Sequence, residues 1–526
     1  MLSPAESTPE VYQAGLRERT QSPRTFAQQN PFVILGSTLA KPRRRRSAGQ
    51  ELIPKIPLQD GEQYRFHFNA SRCVGCKCCE VACSEQNNNP PEISWRRVGE
   101  VEGGVYPNTV RLHLSMGCNH CLEPACLEGC PTDAYRKDAK TGLVLHDAQM
   151  CIGCEYCIWN CPYGVPVFNE ERGVVGKCDM CHGRIMEGQA PACVDACPEQ
   201  AIQVEIVNIE EWKREYRGSA NMPGLPSADG TISTTRVTLP DNIPPSLEKA
   251  DYHRVRPEKP HYSLAAMTVM TQLSTGAFVM VWLLSFSLES EFLNVAAAAA
   301  LIVGLTSFLA SPLHLGRPIY AYRAMKMWKR SWLSREVVLL TSFGLAATVY
   351  AALLWRGDSG ATPIGAITTL LGLAGISASA FIYRVPARPA WDSRYTVAEF
   401  LFTAALLGPL FVMLLGVATK WLALAACTAA SLQLLNQTLK LLWLASSEEF
   451  ELKASSRLLF YDLRKQTLPR FGLLIAGGIV APLLSFPVPA FVLALAGELL
   501  GRYLFFVSVV PRNMAMSFFG GAKEAA

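Results

Sequence analysis

Residues 118–135 read CNHCLEPACLEGCPTDAY, and residues 151–168 read CIGCEYCIWNCPYGVPVF. In the first stretch Cys118, Cys121, Cys126 and Cys130 are spaced C-x2-C-x4-C-x3-C. In the second, Cys151, Cys154, Cys157 and Cys161 are spaced C-x2-C-x2-C-x3-C. Working outward, Cys73, Cys76, Cys79 and Cys83 repeat the second spacing. On the other side KCDMCHGRIMEGQAPACVDACPEQAI (177–202) supplies Cys178, Cys181, Cys193 and Cys197, spaced C-x2-C-x11-C-x3-C. Pro131, Pro162 and Pro198 each follow the last cysteine of a group. A cubane [4Fe–4S] cluster needs one thiolate at each of its four iron corners. A tight C-x2-C-x2-C loop wraps three corners with its N–H groups toward the sulfides. The fourth cysteine is directed away and, in two-cluster ferredoxins, serves the other cluster. Sixteen cysteines in four groups therefore imply four [4Fe–4S] clusters. Zinc ribbons use C-x2-C pairs, but not four such tetrads with trailing proline. Cys78, inside CKCC, reads as a spare thiol, and Cys427, in an apolar stretch, as a packing residue.

The wider composition separates two kinds of domain. The chain has 526 residues, half of them apolar and only 18% charged, with 17 of its 18 cysteines at or before Cys197. A net charge of +5 gives no case for nucleic acid as a partner. The opening MLSPAESTPEVYQAGLRERT has acidic residues and no apolar core, so it does not read as a secretory leader. The Arg43–Arg46 run is not followed by an apolar stretch, and reads as a solvated basic tail suited to anionic lipid headgroups. We divide the chain into a mobile extension (1–60), a four-cluster domain (61–207), a polar, proline-rich linker or partner-binding arm (208–260), a membrane domain (261–515) and a tail (516–526). Strand-like pieces fall at Tyr64–Asn69, Thr109–Met116 and Ala201–Val207.

Eight apolar segments follow His261: Tyr262–Leu288, Phe292–Ala310, Val337–Leu354, Ile364–Tyr383, Val397–Val417, Trp421–Leu444, Phe471–Phe486 and Pro489–Val510. A spanning helix needs ~20 mostly apolar residues. Seven segments meet this comfortably; Phe471–Phe486 is short and contains Gly477 and Gly478. They are apolar nearly all round, with all but a few charges in the gaps, which argues against a soluble bundle. In the gaps and flanks, 19 Lys and Arg lie on the N-terminal side and 2, Arg356 and Lys420, on the other. That bias predicts a multi-pass inner-membrane protein with both termini and the cluster domain in the cytoplasm. The fold class expected is an α+β ferredoxin-like iron–sulfur domain followed by an all-α domain of eight transmembrane helices.

The quoted cysteine stretches resemble the four-cluster iron–sulfur subunit of dimethyl-sulfoxide-reductase-type molybdoenzymes over residues 64–205. Residues 262–515 resemble, more loosely, the eight-helix anchor subunit of the same enzymes, within the polysulfide-reductase-like anchor family. The second likeness rests on SPLHLGRPIYAYRAMKMWKRSWLSREVVLL (311–340), IYRVPARPAW and ELLGRYLFFVSVVPR. The resemblance implies two separate subunits fused into one chain. It also implies that Cys73, Cys76 and Cys79 share a cluster with Cys197, while Cys178, Cys181 and Cys193 take Cys83. Groups two and three exchange Cys130 and Cys161 in the same way. The implied partners are a molybdopterin-containing catalytic subunit, the quinone pool and membrane lipid.

The anchor's implied task is quinone chemistry, with menaquinone or ubiquinone. His314 ends the second segment on the N-terminal side, where it could hydrogen-bond a quinone carbonyl or take a hydroxyl proton. Arg317, Arg335 and Glu336 are weaker candidates, as helix-end charges. Glu498 and Arg502, four apart in the last segment, are expected to pair. Gln433, Gln437 and Lys440 share a face of the sixth segment with Asn436 beside them, either lining a cavity or bonding neighbouring helices. Glu399 could accept a proton or anchor the fifth segment at the interface. The membrane half has only two histidines, His261 and His314, both near one surface, so no haem is expected. The expected function is electron transfer and membrane anchoring for a respiratory oxidoreductase. S- or N-oxide reduction and sulfite oxidation both fit. An ion-translocating redox module and a passive cluster-carrying scaffold are the alternatives.

Overall fold

The computed structural model describes residues 52–54, 56–222, 225–244, 246–250, 255–288, 291–417 and 420–512. The Arg43–Arg46 run, almost all of the N-terminal extension, the tail at 516–526, and Arg254 and Lys523 of the charge count lie outside the described residues.

The cluster domain is built on short strands between cysteine loops. β1 (Glu62–Asn69) pairs antiparallel with β8 (Ile202–Asn208), from Glu62 opposite Asn208 to Phe68 opposite Ile202. This pairing ties the chain just before the first cysteine group to the chain just after the last. β2 (Arg97–Val105) and β3 (Asn108–Met116) form a hairpin, and β4 (Tyr135–Lys137) with β5 (Val144–His146) and β6 (Val167–Asn169) with β7 (Val174–Gly176) form two smaller ones. Each small hairpin follows the fourth cysteine of a group and carries apolar residues inward, among them Tyr135, Val144, Val174 and Val175.

Most of the described residues of the 208–260 segment up to Ala250 do not form an extended linker but fold back onto the cluster domain, while Glu258 N donates to Val507 O of the membrane half at 2.9 Å. Asn208 caps a helix at Ile209–Ser219, its side chain accepting from the N–H groups of Glu210 and Glu211 at 3.0 and 3.1 Å. Trp212 and Tyr216 are buried beneath that helix. β9 (Arg236–Thr238) then adds parallel to β1, and β10 (Glu248–Lys249) adds to β2. Proline and polar residues suggested exposure, but the apolar residues spaced between them are enough to wrap the segment down.

Eight helices are long and apolar enough to cross a membrane among the described residues. The first six are Tyr262–Leu284, Glu291–Ala310, Trp332–Arg356, Ala361–Ile382, Arg394–Leu414 and Lys420–Ser446. The seventh runs Arg464–Leu483 and the eighth Pro487–Val507. The seventh reaches spanning length by recruiting the polar turn before Phe471, and it widens into a π-helical turn at Ala476–Val480. The helices meet through small residues, as in bundles where lipid removes the hydrophobic drive between helices. Gly276 of the first helix lies against Ala404 and Gly408 of the fifth, where a Cβ would meet backbone. Ala296, Ala297 and Ala300 of the second helix are fully buried. Ser274 donates to Ala300 O at 2.7 Å.

The cluster domain sits on the end of the bundle that carries the basic gaps. Gly316 N donates to Gly153 O at 3.2 Å and Arg317 N to Ile152 O at 3.0 Å. Ser331 Oγ donates to Gly129 O at 2.7 Å. Side chains at Gly153, Gly173 or Gly316 would collide with one another's backbone, so only glycine permits this approach. Trp159 of the cluster domain is set among His261, Tyr383, Trp391 and Phe506 of the membrane domain.

Candidate cluster sites and membrane cavity

Each cysteine loop is turned by residues in the left-handed region. Gly75 and Lys77, His120, Gly153 and Glu155, and Met180 and Cys181 all have positive φ. In three loops the first sulfur accepts from the N–H two residues on: His120 to Cys118 at 3.5 Å, Gly153 to Cys151 at 3.4 Å, Met180 to Cys178 at 3.4 Å. After two of the Cys-Pro turns, the N–H four residues on reaches back. Ala134 donates to Cys130 Sγ at 3.3 Å and Ala201 to Cys197 Sγ at 3.2 Å. Such N–H donors stabilise sulfur as thiolate.

The cysteines gather in crossed sets. Cys73, Cys76, Cys79 and Cys197 line one small cavity, and Cys118, Cys121, Cys126 and Cys161 line another. Cys83 lies within electrostatic reach of Cys178, Cys181 and Cys193. Cys130 lies within the same reach of Cys151, Cys154 and Cys157. Each set thus combines three sulfurs of one group with the fourth of another. Cys78 is exposed beside the first set, and Cys427 sits in the sixth membrane helix, far along the chain from all of them.

The donor chemistry fits an iron–sulfur group. Burial pushes the Cys79 thiol up to about 11 and the Cys83 and Cys121 thiols to about 12, so thiolates there require cationic partners. Among the described residues no three Cys, His, Asp or Glu groups converge as a single-ion site would need. Four sulfurs spread around a cavity suit a cubane, whose irons each take one.

Two buried cations stand among the sulfurs, and the spacing argument did not find them. Arg96 is almost wholly buried; its Nη1 donates to Ser115 O and Ser115 Oγ at 3.2 Å, and its guanidinium lies 4.4 Å over the Phe66 ring. Its Nε and Nη2 have no protein partner. Burial opposes its charge, but Cys193, Cys178, Cys79 and Cys83 hold its pKa above the ordinary arginine value. Lys177 donates to Val144 O and, at 2.9 Å, to Cys178 O, and lines the cavity of Cys118, Cys121, Cys126 and Cys161. Burial and then Lys177 push His120 well below its usual range, and its Nδ1 accepts from Val144 N at 3.1 Å.

At the junction with the membrane bundle lies an apolar cavity of about 1050 Å³, counting its open mouth. Ile152, Cys154 and Trp159 border it from the cluster side, and His314, Glu336 and Tyr383 from the membrane side. Ligand cavities typically combine apolar walls with a few convergent polar groups. His314 stands in a 3-10 turn (Ser311–His314) that continues the second membrane helix, and its Nδ1 has no hydrogen-bond partner.

Glu336, a weaker candidate read as a helix-end charge, borders the cavity, but its placement is corrected: it is buried within the third membrane helix, in hydrogen-bonding reach of Ser379, because that helix begins at Trp332, one turn before the apolar run. Arg317 and Arg335 do not border the cavity. Arg317 donates to Ala148 O at 2.8 Å, and Arg335 stacks on Trp332 while donating to Trp328 O and Lys329 O.

The expected Glu498–Arg502 pair is also corrected. Glu498 accepts from Thr403 at 2.7 Å and from Gln433 at 3.3 Å. Arg502 donates to Gln272 at 2.9 Å and lies 3.7 Å over Phe400. Interhelical partners outcompete the neighbour one turn away. Glu399 is paired with Arg470 at 2.7 Å and Lys440 at 3.4 Å, and Asn436 donates to Tyr395 O.

The comparisons with known proteins fall on both halves. Residues 110–206 match the 4Fe-4S dicluster domain family, and residues 258–454 match the DMSO reductase anchor subunit (DmsC) family. The chain is 40% identical over 179 residues to an anaerobic dimethyl sulfoxide reductase subunit of Haemophilus influenzae, covering 32% of this chain and 86% of that one. It is 37% identical over 177 residues to the formate dehydrogenase-O iron-sulfur subunit of Escherichia coli (30% of this chain, 58% of that one). It is 39% identical over 150 residues to a sulfite dehydrogenase subunit of Allochromatium vinosum (24% and 62%). Crossed cysteine sets on one side of the junction and eight membrane helices on the other agree with both matches. The chain therefore belongs to the family of dimethyl sulfoxide reductase iron–sulfur subunits and carries, fused behind that domain, a membrane anchor of the DmsC family.

Proposed function

We propose that this electron-transfer and anchor subunit oxidises membrane quinol, menaquinol or ubiquinol, in the cavity beneath Cys154. Electrons are delivered to a separate molybdopterin-containing catalytic subunit that reduces dimethyl sulfoxide or a related S- or N-oxide. Four [4Fe–4S] clusters, held by the sixteen cysteines in the crossed sets above, supply single-electron transfer. The chain's own residues do the rest. Apolar walls, Trp159 among them, hold the quinol ring and limit water. His314 accepts the proton of one quinol hydroxyl at its free ring nitrogen and Glu336 accepts the proton of the other, so that two protons leave as two electrons pass singly to the clusters. The loop bearing Cys154 is fixed against Gly316, so the donor ring and the first sulfur share one cavity.

The observation that carries this reading is that Cys154, His314 and Glu336 border the same space. His314→Ala and Glu336→Gln should each slow quinol-driven cluster reduction roughly 10²-fold, with iron content and reduction by dithionite unchanged. Unchanged rates in both variants would overturn this quinol site, and no quinol-driven reduction in the parent protein would leave only a passive scaffold. Reverse flow, from sulfite oxidation into quinone, is a second reading supported by the similarity to the sulfite dehydrogenase subunit. The polar residues of the sixth helix are engaged by Glu498, Glu399 and Tyr395, which favours a structural role over ion translocation. We place the cluster domain in the cytoplasm on the basic-residue bias. Cysteines introduced at Lys329 and Lys465 should then resist an impermeant thiol reagent in intact cells.

A further inference from the structure

The cysteine spacing accounts for sixteen sulfurs but not for the two buried cations among them. Arg96 is linked to the first set through Ser115, whose Oγ lies 3.2 Å from both Arg96 Nη1 and Cys79 Sγ. It faces the Cys83 set as well, since Cys178, Cys193 and Cys83 all act on its charge. Two of its nitrogens are buried with no protein partner, an arrangement that leaves donors for sulfur or sulfide. Lys177 repeats the theme one step along. It immediately precedes Cys178 of the Cys83 set and borders the cavity of the Cys118 set. Its two backbone acceptors, Val144 O and Cys178 O, hold it without neutralising it. Among the described residues neither Arg96 nor Lys177 has a carboxylate within 4.0 Å; the groups acting on Arg96 are sulfurs, and Asp179 acts on Lys177 from further off.

We propose that Arg96 and Lys177 are fixed countercharges set between successive cluster sites, tuning their reduction potentials upward in an overlapping pattern. Arg96 serves the Cys73/Cys76/Cys79/Cys197 site and the Cys83/Cys178/Cys181/Cys193 site. Lys177 serves that second site and the Cys118/Cys121/Cys126/Cys161 site. The site of Cys130, Cys151, Cys154 and Cys157, nearest the membrane, has neither; its neighbouring cation is Arg317, which is partly open to solvent. A cluster gains negative charge on reduction, so a cation held in a low-dielectric interior favours the reduced form. Both residues are positioning residues for electron transfer, acting on the cluster sites by their charge. The proposal rests on the cluster assignment made under the proposed function.

The test is potentiometric EPR titration of the full complex in membranes, with each cluster's signal assigned through single Cys→Ser variants. With Arg96→Gln, the reduced-to-oxidised ratio at a fixed poise should fall about tenfold or more at the Cys73 and Cys83 sites, and stay unchanged at the other two. With Lys177→Gln the fall should appear at the Cys83 and Cys118 sites. The Cys83 site alone should respond to both. Unmoved potentials, or equal shifts at all four sites, with iron retained, would overturn the proposal while leaving the cluster assignment intact. Failure of the parental protein to hold cluster iron would instead overturn the assignment. Should a Gln variant lose iron, the charge-keeping Arg96→Lys and Lys177→Arg decide. Iron and potentials restored support the proposal; iron still lost marks the side chain as packing and overturns it.

Discussion

The two halves of this chain are held by opposite means. The cluster domain's strands are short, and its order comes largely from loops bent around sulfur, with positive φ at residues such as Lys77, His120 and Glu155. The membrane half has almost no irregular backbone within its helices, and it is ordered by small residues at crossings and by a few interhelical polar bonds. In the first half a handful of side chains meet a rigid chemical demand. In the second the demand is diffuse, so packing detail decides which face meets which. Single substitutions should therefore have sharply different consequences on the two sides.

The largest expected effect falls on the cluster side. Cys154→Ser should remove one cluster, lowering iron by about a quarter, and abolish quinol-driven reduction of the remaining sites. Full iron content in that variant would break the comparison. Next is the charged cluster of the membrane half. Glu399→Gln leaves Lys440 and Arg470 buried without their shared carboxylate, and removing one partner of a buried ion pair costs about 3–5 kcal/mol. A drop in thermal midpoint in detergent or lipid, with normal cluster spectra in the folded fraction, is expected.

The junction is predicted to behave differently from both halves. Gly316→Val adds a side chain against Gly173 backbone and should cost about 1–3 kcal/mol of docking. Quinol-driven reduction should slow while dithionite still reduces every cluster, as read by rapid-mixing absorbance. The smallest effect concerns acid stability. Glu205 sits opposite Arg65 across β1 and β8, and although burial works against its charge, His67 and Arg65 hold its carboxyl down to about 2. A depressed carboxylate stabilises the fold above its unfolded value of 4.5, and that contribution is lost as pH falls toward 2. Glu205→Gln should lower stability at neutral pH and flatten that acid limb, measured as iron release against pH, so that variant and parent converge as pH approaches 2.

These contrasts also explain what could be read from the residues alone. The sixteen cysteines and the count of eight helices were legible because ligand number and bilayer thickness impose spacing directly on sequence. Glu336 was named beside Arg317 and Arg335 but could not be ranked above them, since a carboxylate beside Arg335 looks like a helix end until the helix is seen to start at Trp332. The Glu498–Arg502 expectation failed because spacing of four residues says who can meet, not which partner on another helix competes. The wrapping of the described residues between 208 and 250 was hidden by the segment's prolines, and its anchors, Trp212 and Tyr216, become visible only against the strands they cover. Arg96 carries no motif; Lys177 lies beside a cysteine but signals nothing until its burial is known.

The most direct test of the account is the EPR-detected reduction of the anaerobically prepared, lipid-embedded protein by quinol. The account predicts about sixteen irons per chain and signals from quinol-reduced clusters that appear roughly 10²-fold more slowly in His314→Ala, while dithionite reduces them as in the parent. Far fewer irons, or clusters that dithionite reduces and quinol never does, would contradict it.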